Sequence, residues 1–195
     1  MAEDHGRAEG REMRWAAVPL AALLAASLPA HAVARPGLSI EQRVQRAEDE
    51  LAIRRVLIDY HWFMDMRDFD AYANLFAKNG EWINGTVHHK GPDDIRKMMA
   101  DMFGKTAPGA VNRHSLEMTT NPQIRIDGDH ATARSRHLLI WRGPDGRPQP
   151  VLAGRYEDEL IREDGKWKIL RRIDYPVMPT PEEWGEMMRK RSAAK

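Results

Sequence analysis

Three strong turn signals punctuate the second half of the sequence, and their spacing limits the folds that the chain can adopt. They are Asp127-Gly128, Gly143-Pro144-Asp145-Gly146 and Asp164-Gly165. The stretches around them have the composition and boundaries of strands, and they cover residues 113–126, 131–142, 150–162 and 166–175. Because strands that are joined by tight turns pair antiparallel, the sequence predicts a four-stranded antiparallel meander.

Helical periodicity precedes the meander. Ser39 and Gln42 have the spacing of a capping box, and apolar residues then recur at three- and four-residue steps as far as Arg67. The recurring residues are Ile40, Val44, Ala47, Leu51, Val56 or Leu57, Tyr60, Phe63 and Met64. The pattern predicts one long helix, with Asp49 as the candidate point for a break.

Shorter elements are expected between this helix and the meander. Residues 68–80 predict a second helix, with Asp68 as its N-cap and Gly80 as its C-terminal stop. Residues 81–89 alternate as a strand does, and residues 91–104 have the Pro and Gly signals of a third helix.

Helices followed by an antiparallel meander are typical of the α+β class, in which helices cover one face of a curved sheet. Such a sheet forms a cone that can hold a ligand pocket. The expected organisation is an N-terminal linker or helix extension over residues 33–48, one domain over residues 49–176, and a C-terminal tail or helix over residues 177–195.

The N-terminal residues 1–32 are predicted to be a secretory signal peptide. An arginine, an apolar run and Ala30-His31-Ala32 follow Met13, which is the candidate true start of translation. The apolar run is too short for a membrane span. We therefore expect a periplasmic or secreted protein with no membrane anchor after cleavage; the alternative is a cytoplasmic protein with an Ala-rich leader.

Composition excludes several function classes. The chain has no cysteine, which removes disulfides, thiolate catalysis and Cys-ligated zinc. A formal net charge of +1 gives no basic surface for nucleic acid. His61 and Asp65 have helical i, i+4 spacing, but the adjacent His88 and His89 would point to opposite faces of a strand. The sequence therefore predicts neither a metal site nor a cofactor.

Residues 49–175 resemble the SnoaL-like branch of the nuclear transport factor 2 (NTF2-like) superfamily. The segments that carry the resemblance are "AIRRVLIDYHWFMDMRDFDAYANLFAKNGEW", "KGPDDIRKMM", "IRIDGDHATARSR" and "GRYEDELIREDGKWKILRR". The resemblance implies a cone-shaped α+β barrel with three helices around a pocket. It also implies a homodimer or homotrimer.

Within that superfamily, the segment around Asp65 is similar to the scytalone dehydratase and hexachlorocyclohexane dehydrochlorinase branch. The resemblance implies a catalytic aspartate at Asp65 and a histidine partner at His114. A carboxylate that is hydrogen-bonded to one ring nitrogen fixes the tautomer of a histidine and raises its basicity. The other nitrogen can then remove a proton from a C–H group.

The spacing of this candidate pair departs from the pattern of many relatives, H-x-x-T-N. Counted back from Asn121, the histidine position is Glu117, and His114 lies three residues earlier. An odd shift moves a strand residue to the opposite face unless a bulge absorbs it. The alternatives are a rim position for His114, and for Asp65 a place in a polar stripe on the helix surface.

Four further residues are candidates for substrate binding. Tyr60 could polarise a carbonyl, Trp82 and Trp141 could pack on a planar substrate, and His137 shares the strand face of Trp141. The alternative for the three aromatic residues is a place in the core.

The function predicted on this basis is a cofactor-free lyase, dehydratase-like, or an isomerase. It would act on a small hydrophobic cyclic substrate through an Asp-His general base. The alternative is a non-catalytic ligand-binding or assembly module, similar to the β-subunits of ring-hydroxylating dioxygenases, because a shared fold does not fix a function.

Overall fold

A computed structural model describes residues 37–104 and 111–193. In chain order its elements are α1 (Ile40–Met66), α2 (Phe69–Ala73), β1 (Phe76–Asn84), β2 (Val87–Lys90), α3 (Pro92–Phe103), β3 (Ser115–Asp127), β4 (His130–Arg142), β5 (Pro148–Glu163), β6 (Lys166–Met178) and α4 (Pro181–Ala193). The predicted signal peptide lies outside the described residues. None of the described helices combines the length and apolar character that a membrane crossing needs.

Helix α1 starts at the predicted capping box. The backbone N–H of Gln42 donates to Ser39 Oγ at 3.2 Å, and the Ser39 N–H donates to Gln42 Oε1 at 2.9 Å. The helix then runs for 27 residues without a break at Asp49, and it ends where Arg67 adopts a left-handed conformation with φ 59°. The single long helix is confirmed.

The side of α1 that packs on the core is not the side that carries the first apolar residues of the helix. Its buried residues are Asp49, Ile53, Val56, Leu57, Tyr60, His61 and Met64. Ile40, Val44 and Leu51 are 72%, 52% and 67% exposed. Residues 37–48 are all exposed, so the first turns project beyond the core. Apolar spacing located the helix correctly, but it could not show which of two apolar faces packs on the sheet.

The segment after α1 turns into a strand earlier than expected. Asp68 caps α2 as predicted, since its Oδ1 accepts from the Ala71 N–H at 2.9 Å. Gly80, the predicted helix stop, instead lies inside β1, where a Cβ atom would come within 2.8 Å of the Ile169 carbonyl oxygen. The predicted strand over residues 81–89 is a hairpin of two strands, β1 and β2, which turns at Gly85 with φ +57°.

The six strands form one mixed sheet with the order β2-β1-β6-β5-β4-β3. β1 and β6 are parallel, and all other neighbours are antiparallel, which includes the predicted meander from β3 to β6. α1 packs on β3 and β6, and α3 packs on β1 and β2. The α+β class is confirmed, and the buried side chains lie between these helices and one face of the sheet.

Candidate functional site

The last turn of α1 is tied to β3 through Asp65. Both carboxylate oxygens of Asp65 lie close to the backbone N–H of Glu117, at 3.2 and 3.3 Å. Asp65 is half-buried, whereas the Glu117 side chain is 6% exposed. The carboxylate of Asp65 therefore joins the end of α1 to the backbone of β3 at Glu117.

Glu117 belongs to a buried row of charged groups that crosses three strands. Its Oε1 lies 2.8 Å from Nδ1 of His137 on β4, in an ionic contact outside the direction of a hydrogen bond. Nε2 of His137 lies 3.0 Å from Oδ1 of Asp174 on β6. Asn84 on β1 donates to the other oxygen of Asp174 at 2.9 Å. The imidazole is thus held between two carboxylates.

Two aromatic groups complete the surroundings of Glu117. The Tyr156 hydroxyl donates to Glu117 Oε1 at 2.7 Å, and the Tyr156 ring stacks on His137 with centroids 4.2 Å apart. Nδ1 of His61 lies 3.7 Å from the same oxygen, and neither ring nitrogen of His61 has a hydrogen-bond partner among the described residues. We call His61, Asp65, Glu117, His137 and Asp174 the acid–base array.

A second buried ion pair lies beside the array. Arg172 donates to Asp158 at 2.7 and 2.9 Å, and both side chains are 0% exposed. The guanidinium packs between the rings of Tyr60 and Tyr156, at 3.8 and 4.3 Å from their centroids. Burial would lower the pKa of Arg172, but the charge and hydrogen bonds of Asp158 raise it well above its usual range. The cation supports the aromatic wall around the array.

Opposing effects set the protonation of the two central groups. Burial would lower the pKa of His137, but the hydrogen bond to Asp174 and the contact with Glu117 raise it to about 9. Burial would likewise raise the pKa of Glu117, but His137, His61 and the Tyr156 hydroxyl together lower it to about 2. At neutral pH the pair is therefore an imidazolium beside a carboxylate.

The other two titrating groups are shifted in the opposite sense. Burial lowers the pKa of His61 to about 4, so this ring is neutral at pH 7. Burial raises the pKa of Asp65 to about 6, although the hydrogen bond from Glu117 opposes the shift. Enzymes that use acid–base catalysis commonly contain neighbouring groups whose pKa values are shifted in opposite directions. Asp65 can accept a proton near neutral pH, and His137 can donate one.

The close fit of His137 depends on a glycine on β5. A Cβ atom on Gly154 would lie 2.1 Å from His137 Nε2 and 2.9 Å from the Tyr175 carbonyl oxygen. We expect Gly154→Ala to displace the imidazole from Asp174 and to lower the free energy of unfolding by about 1–3 kcal/mol, the range for overpacking. Urea unfolding measures the loss, and Gly37→Ala serves as the control because a Cβ atom there would meet nothing within 4 Å. Equal losses in the two variants would contradict steric displacement of His137.

The structure shows the contacts of the four candidate substrate-binding residues. His137 is at the centre of the array. Trp82 and Tyr60 are both buried, and the Trp82 indole N–H donates to the Tyr60 hydroxyl at 2.9 Å. Trp141 lies below α4, 5.7 Å from the ring of Trp184 and 3.9 Å from the guanidinium of Arg191.

The structure does not bring His114 to Asp65. His114 is exposed and precedes β3, and its backbone N–H donates to Asn112 Oδ1 at 3.0 Å. It lines a cavity of about 210 Å³ with Arg113 and Arg142, among others. The expected Asp65–His114 hydrogen bond is absent among the described contacts. Asp65 meets β3 at Glu117, and His114 lies three residues earlier, before the strand begins. The bulge of β3 lies later, between Thr120 and Gln123, and cannot correct the offset.

The sequence reasoning missed three members of the array as site residues. Glu117 had a signal, since it occupies the position four residues before Asn121 where many relatives carry a histidine. His61 was considered with Asp65 only as a possible metal ligand or as part of a polar stripe on the helix. Asp174 had no local signal. Among the described residues, no group of three or more potential ligands is placed to hold a metal ion.

The comparison with family models identifies the chain. The model of a SnoaL-like domain matches residues 45–173, which include every member of the acid–base array except Asp174. This protein belongs to the SnoaL-like family. An uncharacterized protein of Mycobacterium tuberculosis (strain H37Rv) is 28% identical over 138 residues, which cover 67% of this chain and 87% of the relative.

Solved structures confirm the NTF2-like fold of this SnoaL-like protein. A putative scytalone dehydratase from Novosphingobium aromaticivorans has a TM-score of 0.58 and 26% identity, with 69% of this chain and 88% of that chain covered. An NTF2-like protein from the same genus, with a cystatin-like fold, has a TM-score of 0.62 and 21% identity, with 69% and 86% covered. A hexachlorocyclohexane dehydrochlorinase from Novosphingobium barchaimii has a TM-score of 0.58 and 19% identity, with 69% and 90% covered.

Proposed function

We propose that this protein is a cofactor-free lyase, dehydratase-like, or an isomerase, that moves a proton on a small hydrophobic cyclic substrate. The observation that carries the proposal is the acid–base array. Five titratable side chains from one helix and three strands converge beside a buried aromatic wall. The pKa values of four of them, His61, Asp65, Glu117 and His137, are pushed apart. An ion pair that only stabilises the fold has no use for the neutral His61 or for a half-buried carboxyl whose pKa is about 6, as that of Asp65 is. Strongly shifted pKa values that cluster in this way are typical of functional sites.

The members of the array have different proposed roles in the reaction. Asp65 is the proposed base: its carboxylate takes the proton of a C–H bond, and the electron pair of that bond forms a C=C bond. In a dehydration the adjacent C–O bond breaks, and the His137 imidazolium gives its proton to the departing hydroxide, so that water leaves. In an isomerisation the proton returns to another carbon. Glu117 and Asp174 hold His137 in place and keep it charged.

Similarity to proteins with named activities supports this reaction class. The putative scytalone dehydratase is 26% identical to this chain over most of its own length. Two dehydrochlorinase structures, at 19% and 18% identity, share the fold. A dehydration and a dehydrochlorination both remove a proton and a leaving group from neighbouring atoms, which is the task that Asp65 and His137 are proposed to perform.

A screen for turnover tests the proposed function. The full chain is incubated with cyclic hydroxy compounds and with cyclic double-bond isomers, and products are followed by mass spectrometry and ultraviolet absorbance. We expect loss of water or a shifted double bond for at least one class. Failure of every class, together with no ligand-induced rise in the melting temperature, would contradict the proposal.

The pH dependence of that activity is a second test. Because Asp65 must be ionised and has a pKa of about 6, kcat/KM should fall as the pH drops through 6. Because His137 must be protonated and has a pKa of about 9, kcat/KM should fall again as the pH rises through 9. We expect a bell-shaped profile between these limbs. A profile with a single limb near pH 6.5, typical of an ordinary histidine base, would contradict the assignment.

The second candidate is a non-catalytic ligand-binding or assembly module. One observation favours it: both ring nitrogens of His137 already contact protein carboxylates, so the imidazolium is balanced without a ligand. A putative aromatic ring hydroxylase from Novosphingobium aromaticivorans also has this fold, with a TM-score of 0.55 and 25% identity. Isolation of the protein in stoichiometric association with a larger subunit, without turnover in the screen, would favour this candidate.

A further inference from the structure

One side of α1 carries exposed apolar residues that the fold leaves uncovered. The α1 stripe consists of Ile40, Val44, Ala47, Leu51, Ile58 and Trp62. Ile40, Val44, Leu51, Ile58 and Trp62 are 72%, 52%, 67%, 54% and 61% exposed. At 100° per residue these positions fall in a narrow band that lies opposite the core-facing residues Ile53, Tyr60 and Met64. A helix with apolar residues on two opposite sides calls for a partner on the second side.

The spacing of the stripe is symmetric about Leu51. Val44 and Ile58 lie seven residues to either side of Leu51, and Ile40 and Trp62 lie eleven residues to either side. If a second, antiparallel helix with the same sequence crossed at Leu51, Val44 would face the partner's Ile58 and Ile40 would face the partner's Trp62. A two-fold symmetric contact requires this kind of self-complementary patch.

The charges that flank the stripe fit the same antiparallel arrangement. In an antiparallel helix pair, each flank of one helix meets the same flank of its copy. Glu48 and Arg55 lie on one flank, three and four residues from Leu51. Glu48 of one copy is therefore placed to meet Arg55 of the other, twice per dimer. On the other flank, Glu50 and Arg54 already pair within the chain at 2.7 Å. Flanking pairs between the two copies select the partner and its direction more than they add affinity.

The projecting turns of α1 are explained by the same contact. Residues 37–48 are exposed on all sides, and Glu48 forms no ion pair among the described residues. In the antiparallel pair these turns would lie along the second half of the partner's α1. The helix has 27 residues, or roughly 40 Å. One helix face is a small contact beside a standard interface of roughly 800 Å² per partner, so we expect a reversible dimer.

We propose that a second copy of this chain covers the α1 stripe, and that the two α1 helices pair antiparallel with Leu51 at the two-fold axis. The proposal is independent of the acid–base array and of any activity. It specifies one surface, one partner and one register, each of which can be tested separately.

Cysteine cross-linking tests the register, and the natural chain has no cysteine to interfere. We expect full-length Leu51→Cys to form a disulfide-linked dimer under mild oxidation. Arg46→Cys is the matched control: this residue is equally exposed on the same projecting turns but faces away from the stripe, and it should stay monomeric on a non-reducing gel. A Leu51→Cys chain that cross-links no faster than Arg46→Cys would overturn the proposal.

The direction of the helices needs a second pair of variants. In the antiparallel pair, the two copies of Ile40 would lie roughly 33 Å apart, so Ile40→Cys alone should not cross-link. A mixture of Ile40→Cys and Trp62→Cys should give a mixed disulfide dimer. Rapid cross-linking of Ile40→Cys with itself would indicate parallel helices and would contradict the proposed arrangement.

Solution mass measurements test the interface without cross-links. By analytical ultracentrifugation we expect a dimer that Leu51→Arg converts to a monomer. The monomer should keep its fold by circular dichroism, because Leu51 is 67% exposed within the chain. Arg55→Glu should weaken the dimer, and the double exchange Glu48→Arg with Arg55→Glu should restore it. A monomer at every concentration up to about 100 µM, or a dimer that is indifferent to Leu51→Arg, would refute the interface.

Discussion

Replacement of Asp158 by asparagine is expected to lower the free energy of unfolding by about 3–5 kcal/mol, the usual cost of breaking a buried ion pair by removing one partner. The guanidinium of Arg172 is 0% exposed, and Asp158 is its only ion-pair partner among the described residues. One of its nitrogens, Nη1, already has no hydrogen-bond partner there. Asparagine keeps the volume of Asp158 but removes the charge that balances Arg172, and the cation cannot reach water.

The chain offers a matched control for this prediction at the next residue of β5. Glu159 pairs with Arg171 at 3.5 Å, but these side chains are 52% and 43% exposed. Glu159→Gln should therefore change the free energy of unfolding by no more than about 0.5 kcal/mol. Urea unfolding at pH 7, followed by tryptophan fluorescence, measures both. A loss of less than about 1 kcal/mol for Asp158→Asn would show that water or a rearrangement relieves the buried charge.

The meander was predictable because its signals are local. Asp127-Gly128 and Asp164-Gly165 lie in the observed turns, where the two glycines have φ values of +56° and +75° that other residues avoid. Each turn fixes the antiparallel pairing of the strands on either side of it. The mixed character of the sheet was not predictable in this way, because the parallel pairing of β1 with β6 joins residues that are ninety or more positions apart.

The buried side of β3 shows why the acid–base array was harder to predict than the fold. Leu116 and Met118 alternate with Glu117, and an alternating strand normally turns its apolar residues inward. The structure has the reverse orientation: Leu116 and Met118 are 42% and 44% exposed, whereas Glu117 is 8% exposed. The interior position of Glu117 depends on the neighbours that satisfy its charge, and these come from β4 and β5. Violation of the local pattern is itself typical of a functional site.

Asp65 was predictable from a resemblance, but its neighbour was not. The resemblance predicted a pocket position for Asp65, and the structure places this half-buried carboxylate against the backbone N–H of Glu117 on β3. Strand parity predicted that His137 points inward, and its side chain is buried. The predicted partner of Asp65 was His114, but the residue beside Asp65 in the structure is Glu117. A shift of three positions along a strand changes which side chain faces the helix. The nearby histidine carried less information than the count of four residues back from Asn121 to Glu117.

If Asp65 is the base, Asp65→Asn should lower kcat/KM about 10²–10⁴-fold, the usual contribution of a general base. Asparagine can still accept the N–H of Glu117, so the loss should not come from unfolding. The pKa of Asp65 is raised in the folded chain, so ionisation of this carboxyl costs stability as the pH rises from its ordinary value of 3.8 through about 6. Asp65→Asn should therefore be at least as stable as the natural protein at pH 7, and this gain should vanish below pH 3.8.

His114→Gln separates the two possible partners of Asp65 in the same assay. If the array acts as proposed, His114→Gln should change kcat/KM by no more than about twofold, because His114 is exposed and makes no contact with Asp65. Glu117→Gln should remove the alkaline limb from its position near pH 9, since it takes away one of the two carboxylates that hold the His137 proton. An equal collapse of activity in His114→Gln and Asp65→Asn, with an unchanged profile in Glu117→Gln, would instead mean that the two residues approach each other when substrate binds.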